Sequence, residues 1–165
     1  MRTHTIIDSP LGQLTLVNTD GVLSALYMDV HARRPDPAGF GARTDTGFDP
    51  AVEQLAEYFA GQRTEFTLPL APVGSEFQQR VWQLLRQIPY GQTRTYGQLA
   101  DQLGNRLVIR AVGTANARNP ISIVIPCHRV IGADGSLTGY AGGLARKDCL
   151  LRMEDPVRAA QQELF

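Results

Sequence analysis

Hydrophobic and polar positions alternate first, then fall into helical spacing, and the change divides the chain. Residues 3–8 and 13–18 are short runs of strand-forming residues flanking Ser9-Pro10-Leu11-Gly12, a turn sequence, and they predict a β-hairpin. Residues 21–28, after the Asp20-Gly21 turn, read as a third strand. From 31 to 49 the pattern lapses into Pro, Gly, Arg and Asp, which predicts a loop with freedom to move. Val52, Leu55, Ala56 and Phe59 then stand at helical spacing, with Asp49 as the expected N-cap, Pro50 at the first helical position and Gly61 as the stop. Residues 66–70 read as one more strand. His4 and His31 are isolated and read as solvated. Nothing in this half suggests chemistry, and it reads as a scaffold.

Ala71-Pro72-Val73-Gly74 is the expected boundary, giving a first domain over 1–72, a second over 73–155 and a tail over 156–165. Ser75 caps a strong helix whose wide apolar face carries Phe77, Val81, Trp82, Leu84, Leu85 and Ile88, ended by Pro89-Tyr90-Gly91. Residues 96–104 form a short helix stopped by glycine, and 107–117 form another, a helix-turn-helix pattern with arginine on the second helix. The β-branched run 121–125 reads as a short buried strand broken by Pro126. Residues 130–140, with Asp134-Gly135 between apolar runs, read as a hairpin, the wing of a winged-helix domain. Ala141-Gly142-Gly143 permits close backbone approach to a ligand. Residues 144–153 make a last amphipathic helix. The fold class is α+β: a small sheet-and-helix domain followed by a winged helix-turn-helix domain.

Composition changes this picture in two places. The 165 residues are 43% hydrophobic, with no apolar run as long as a membrane span and no apolar core to the opening Met1-Arg2-Thr3-His4-Thr5. Cys127 and Cys149 are too few for a disulfide scaffold and lack Cys-x-x-Cys spacing, so the expectation is a cytoplasmic protein with no metal, no cofactor and no membrane partner. The formal net charge of zero hides an asymmetry. Residues 1–72 carry 5 Arg against 9 Asp and Glu, whereas 77–147 carry 9 cations against 2 anions. A half so rich in cations and poor in anions suits contact with phosphates.

The chemistry gathers just past the 121–125 run, at Cys127, His128 and Arg129. An unperturbed thiol has a pKa of about 8.5 and is mostly protonated at neutral pH. The adjacent imidazole, with Arg118 and Arg129, is expected to raise the thiolate fraction.

Ile-Pro-Cys-His-Arg-Val, 125–130, resembles the active-site signature of the O6-alkylguanine-DNA alkyltransferases. Asn119-Pro120 upstream, Arg110-Ala111-Val112-Gly113 before it and Gly139-Tyr140-Ala141-Gly142-Gly143 downstream match that family in order and spacing, from about Phe77 to Glu154. The resemblance implies a ribonuclease H-like first domain and a suicide repair protein. Such a protein moves the alkyl group of a flipped-out O6-alkylguanine irreversibly to Cys127, with O4-alkylthymine left as a second candidate substrate. It further implies that His128 acts through a water as base and that Glu154 orients the imidazole. Tyr96 would donate to the guanine as charge develops, and Asn119 would tie the strand to the cysteine loop. Tyr140 would wall the pocket, the backbone around Val130 and Ala141 would read the base edge, and Lys147 would assist near the pocket mouth. Arg110 would fill the gap left by the flipped base, with Val108, Ile109 and Ala111 against the duplex. The implied partner is double-stranded DNA, bound by a monomer that associates with the nucleoid; cooperative clustering is left open.

The chain departs from the family at Leu107-Val108-Ile109, where small residues are usual before the arginine. These side chains either wedge into the groove or hold the helix away from it. Two other classes compete. A DNA-binding module without transfer activity, like the alkyltransferase-like proteins, would lack the cysteine at 127. A Cys-His hydrolase would bring together residues distant in sequence, whereas here they are adjacent.

Overall fold

The protein was studied as a computed structural model that describes residues 1–32 and 34–157. It separates into two compact units, Met1–Val73 with Pro120–Ser122, and Gly74–Asn119 with the chain from Ile123 onward. Residues 120–122 thus belong with the first unit, although a linear division at 72 assigns them to the second. Backbone bonds explain the transfer: Leu26 N donates to Pro120 O at 2.9 Å and Ser122 N to Leu26 O at 3.3 Å. The expected tail over 156–165 lies outside the described residues from 158.

In the first unit, β1 (Arg2–Ile7), β2 (Leu14–Thr19) and β3 (Val22–Met28) form an antiparallel meander. The second turn has positive φ at both Asp20 and Gly21, which suits a tight hairpin between twisted strands. β4 (Ala42–Arg43) pairs in parallel with β1, giving the order β3-β2-β1-β4. The loop expected over 31–49 is more structured than its composition suggests. Asp36 caps a 3-10 turn over Pro37–Phe40, and buried Phe40 stacks on Tyr27 with ring centroids 5.6 Å apart. One aromatic side chain buries enough apolar surface to order a stretch with no period of its own.

α1 (Asp49–Phe59) has Phe48 at its N-cap position, not Asp49, and no side-chain cap. Asp49 lies inside the first turn, where its charge favours the helix dipole, and buried Phe48 anchors the entry. Residues 66–70 do not form a strand. A single bridge joins Leu23 to Leu70, while Gln54 of α1 both accepts from Thr67 N and donates to Thr67 Oγ1, each at 2.9 Å. A helix side chain takes the backbone donor that a neighbouring strand would have used.

In the second unit, α2 (Glu76–Arg86) and α3 (Tyr96–Gln102) both open with capping boxes, Ser75 with Gln78 and Thr95 with Gln98. A 3-10 turn over Arg106–Val108 leads into α4 (Ile109–Ala117), so the single helix expected over 107–117 starts with a tighter turn. Trp82 of α2 donates its indole N–H to Ala115 O at 2.9 Å, which locks α4 to α2 inside the core. β5 (Arg94–Thr95) and β6 (Val130–Ile131) pair in parallel, and α5 (Leu144–Glu154) follows.

Two expectations fail here. Residues 130–140 form no hairpin ladder, because β6 spends its pairing on β5 and only a turn closed by Gly132 N to Ser136 O at 2.9 Å follows. Nor are 121–125 a strand. After the Ile121 bridge the chain turns, with Ile123 at φ +73°, yet Ile121 to Ile125 are all buried. An apolar run reports burial, and periodicity cannot separate a buried turn from a buried strand over five residues. Among the described residues, no helix is long and apolar enough to cross a membrane.

Candidate active site

The turn that replaces the expected strand delivers Cys127 on a short 3-10 segment, Cys127–Arg129, whose three residues are all buried. Two asparagines hold it. Asn119 Nδ2 donates to Ile125 O at 2.7 Å, and Asn116 Nδ2, near the end of α4, donates to Cys127 O at 3.4 Å. Cys127 N turns back onto Ile125 O at 2.8 Å and Arg129 N onto Pro126 O at 3.0 Å. Ile123, a β-branched residue with positive φ, occupies a costly conformation just upstream, and the buried packing around it holds it there.

Beside the thiol lies a buried chain of charge. His128 Nε2 sits 2.7 Å from Glu154 Oε2, at the end of α5. Arg129 grips the same carboxylate twice, Nε to Oε1 at 2.7 Å and Nη2 to Oε2 at 3.1 Å, and sends Nη1 to Ile88 O at 2.7 Å. Tyr90 lies under the guanidinium at 5.8 Å. Burial resists the ionisation of Glu154, but His128 and Arg129 overcome it and bring the carboxyl down to about 2. An ionised carboxylate accepts, so Nε2 carries the imidazole proton and Nδ1 is the free base. Burial also pushes the imidazole below its ordinary pKa, against the pull of Glu154. Nδ1 is buried and has no hydrogen-bond partner among the described residues.

The expectation that two arginines make the thiolate is overturned. Burial pushes the Cys127 thiol up to about 11, and the opposing influences are Asn119, the Lys147 cation and the backbone. Arg129 is consumed by Glu154, and Arg118 is exposed. Cys127 therefore rests as a neutral thiol with a neutral imidazole beside it in sequence. Lys147, expected near a pocket mouth, is fully buried and donates from Nζ to Thr138 O at 2.7 Å. Thr138 Oγ1 in turn donates to the Tyr96 phenol oxygen at 2.8 Å, which leaves the phenol proton for another acceptor. Val130 is buried, and Tyr140 and Ala141 are half-buried.

Arg110, Val108, Ile109 and Ala111 lie at the start of α4, about 9 Å along the helix from Asn116. Arg110 and Ala111 are exposed, Val108 and Ile109 half-buried. Sequence reasoning missed Asn116, Thr138 and the clamp of Arg129 on Glu154. The motif displayed Arg129 openly, but its partner lies 25 residues away and is found only by folding.

Residues 3–72 match the family model for the 6-O-methylguanine DNA methyltransferase ribonuclease-like domain, and 76–156 match that for the DNA binding domain of the same proteins. The chain belongs to the 6-O-methylguanine DNA methyltransferase family. Its relatives include the methylated-DNA–protein-cysteine methyltransferase of Mycolicibacterium paratuberculosis, 51% identical over 165 residues that cover 100% of this chain and 99% of the relative. The protein of that name from Methanosarcina acetivorans is 45% identical over 92% of this chain and 97% of its own. The Mycobacterium tuberculosis methyltransferase crystallised in complex with DNA superposes with a TM-score of 0.87 at 51% identity, over 92% of each chain. This methyltransferase therefore has the two-domain α+β fold of those structures and the activity of its family: single-turnover removal of an alkyl group from guanine O6 in DNA onto a cysteine of the protein.

Proposed function

We propose that Cys127 is the acceptor and that the buried Glu154–His128 pair is the machinery that ionises it only when substrate is present. The observation that carries this is His128, whose Nε2 is fixed on an ionised carboxylate while its basic Nδ1 is given no partner by the described protein. A water between Nδ1 and the thiol would relay the proton. The thiolate attacks the alkyl carbon in line, a C–S bond forms, and the C–O6 bond breaks with its electron pair going to the guanine. Tyr96, accepting from Thr138, donates its phenol proton to the ring as that charge develops. The imidazolium then holds the thiol proton, stabilised by Glu154, until it passes back to the phenol, so acid and base are both restored. The Lys147 cation favours the thiolate, and Asn119 holds the loop. Tyr140, Val130 and Ala141 form the walls that receive the base. The test is intact-mass spectrometry after incubation with a duplex bearing O6-methylguanine. One methyl group per chain, on Cys127, is expected; turnover, or label on Cys149, would sink the assignment. The same measurement with an O4-methylthymine duplex decides that substrate.

For the nucleic acid, the reading is that α4 docks on the duplex and that Arg110 takes the place of the extruded nucleotide. Arg110 is exposed at the first turn, and Arg106, Arg118, Arg80 and Arg86 are exposed in the same unit. Buried Lys147 and Arg129 are not available for phosphates. Affinity for undamaged duplex should fall steeply as salt rises from 50 to 200 mM, by about tenfold or more for a few phosphate contacts, in a fluorescence-anisotropy titration. Arg110→Ala should slow repair of duplex by about tenfold or more while slowing reaction with free O6-benzylguanine far less, because flipping costs a few kcal/mol and the free base needs none. Equal slowing on both would show that Arg110 serves the fold.

A further inference from the structure

Leu107 is 93% exposed, more than any other large hydrophobic side chain among the described residues, and it stands on the turn that feeds α4. Its mount is firm. Asn105 Oδ1 accepts from Leu107 N at 2.9 Å, Val108 N returns to Asn105 O at 3.2 Å, and Arg106 pairs with Asp101 at 2.8 Å. Val108 and Ile109 are half-buried, so the three bulky residues at this position divide: two lean on the protein and one stands out. A single exposed leucine is unremarkable on an ordinary surface. This one lies three residues before exposed Arg110, a spacing that makes neighbours on a helical surface, and next to exposed Arg106. An apolar side chain beside the exposed Arg110 cation is complementary to a nucleic acid, whose phosphates meet the arginine and whose base faces are apolar.

We propose that Leu107 is an apolar wedge that enters the duplex beside Arg110, parting a base step so that the damaged nucleotide leaves the stack more easily. The inference rests on the reading that α4 docks on DNA, and it makes a division of labour: Leu107 opens the step, and Arg110 fills the space that opening leaves. Apolar side chains inserted in this way unstack the bases they enter, and the bent duplex then meets more protein surface. It also resolves the alternatives left by the sequence. Val108 and Ile109 support the turn, and Leu107 alone is presented.

The test compares methyl transfer from O6-methylguanine in a duplex with transfer from the same lesion in a single-stranded oligonucleotide, where no paired stack has to be parted. Leu107→Ala should lower the ratio of duplex to single-strand rates by about tenfold, and Leu107→Met, which keeps the apolar reach, should restore most of it. Placing the duplex lesion opposite an abasic site should shrink the Leu107→Ala deficit to about twofold, since the opposing stack is already broken. A ratio unchanged in Leu107→Ala overturns the wedge. A parallel loss on both substrates also overturns it, because the residue would then serve the fold. If the unaltered protein took no methyl group from either substrate, the reading of the active site would fail instead, which separates the two claims.

Discussion

Cys127→Ser should abolish methyl uptake from an O6-methylguanine duplex while leaving affinity for that duplex within about threefold. The thiol is already a reluctant acid at about 11, and the proposed relay through His128 depends on sulfur ionising far more readily than an alcohol and being intrinsically nucleophilic. A serine hydroxyl in the same buried place offers neither advantage, so no slow residual transfer is expected over hours. Binding should survive because, on the proposed docking, other residues position the DNA, the exposed arginines on and around α4. The substitution is nearly isosteric, and Asn119 remains able to bond the new hydroxyl, so the melting temperature should move little. Mass spectrometry and anisotropy on the same preparation read both halves. Loss of binding in step with transfer would make Cys127 a structural residue.

Glu154→Gln should cost more stability than any substitution at the reacting atoms. The carboxylate is buried and answers two partners, three hydrogen bonds in all from His128 and Arg129. Neutralising it leaves the Arg129 guanidinium buried without a counter-charge, and breaking a pair of this kind costs about 3–5 kcal/mol. A chemical-denaturation midpoint measures the loss, and transfer should also slow, because the imidazolium of the proposed relay would lose its stabilising anion. Glu154→Asp, which keeps the charge on a shorter arm, should recover part of both.

The same arrangement sets the response to acid. Both Glu154 and His128 have folded-state pKa values below their ordinary ones, so the unfolded chain binds protons before the folded one does. Stability is full above about 6.5, where the unfolded imidazole is neutral. It is lost in two stages, first as pH falls below that value on account of His128, then below about 4.5 on account of Glu154, continuing to about 2. The Glu154 stage amounts to about 3 kcal/mol in unaltered protein. In Glu154→Gln that lower stage should vanish, because no titrating carboxyl remains. Persistence of the full acid response in the variant would place its origin elsewhere.

These outcomes depend on groups that differ in how openly the sequence displays them. Local signals were enough for the hairpin at 9–12, the Asp20-Gly21 turn and the Ser75 cap of α2, since each is decided by a few adjacent residues. The family was equally plain, because Pro-Cys-His-Arg with its flanking Asn119-Pro120 and Gly-Tyr-Ala-Gly-Gly is a continuous signature. The α+β class followed from the change of period between the two halves.

Tertiary structure decided the rest, and where it overruled a predicted strand, loop or charge role the deciding partner was distant. Residues 66–70 and 121–125 look like strands, yet Gln54 takes the donor of the first and the crossing to Leu26 bends the second into a buried turn. Phe40 ordered a loop that composition alone would leave free, by stacking on Tyr27 thirteen positions earlier. Arg129 looks like an activator of its neighbouring thiol, but Glu154 claims it, and Lys147, expected near a pocket mouth, is folded inside. The sequence by itself determined the family and the kind of partner it meets, because the signature around Cys127 is a matter of residue type and of adjacent residues. Only the fold determined that the thiol rests neutral and buried, because a pKa depends on solvent exclusion and on the nearest charge, neither of which is local in the chain.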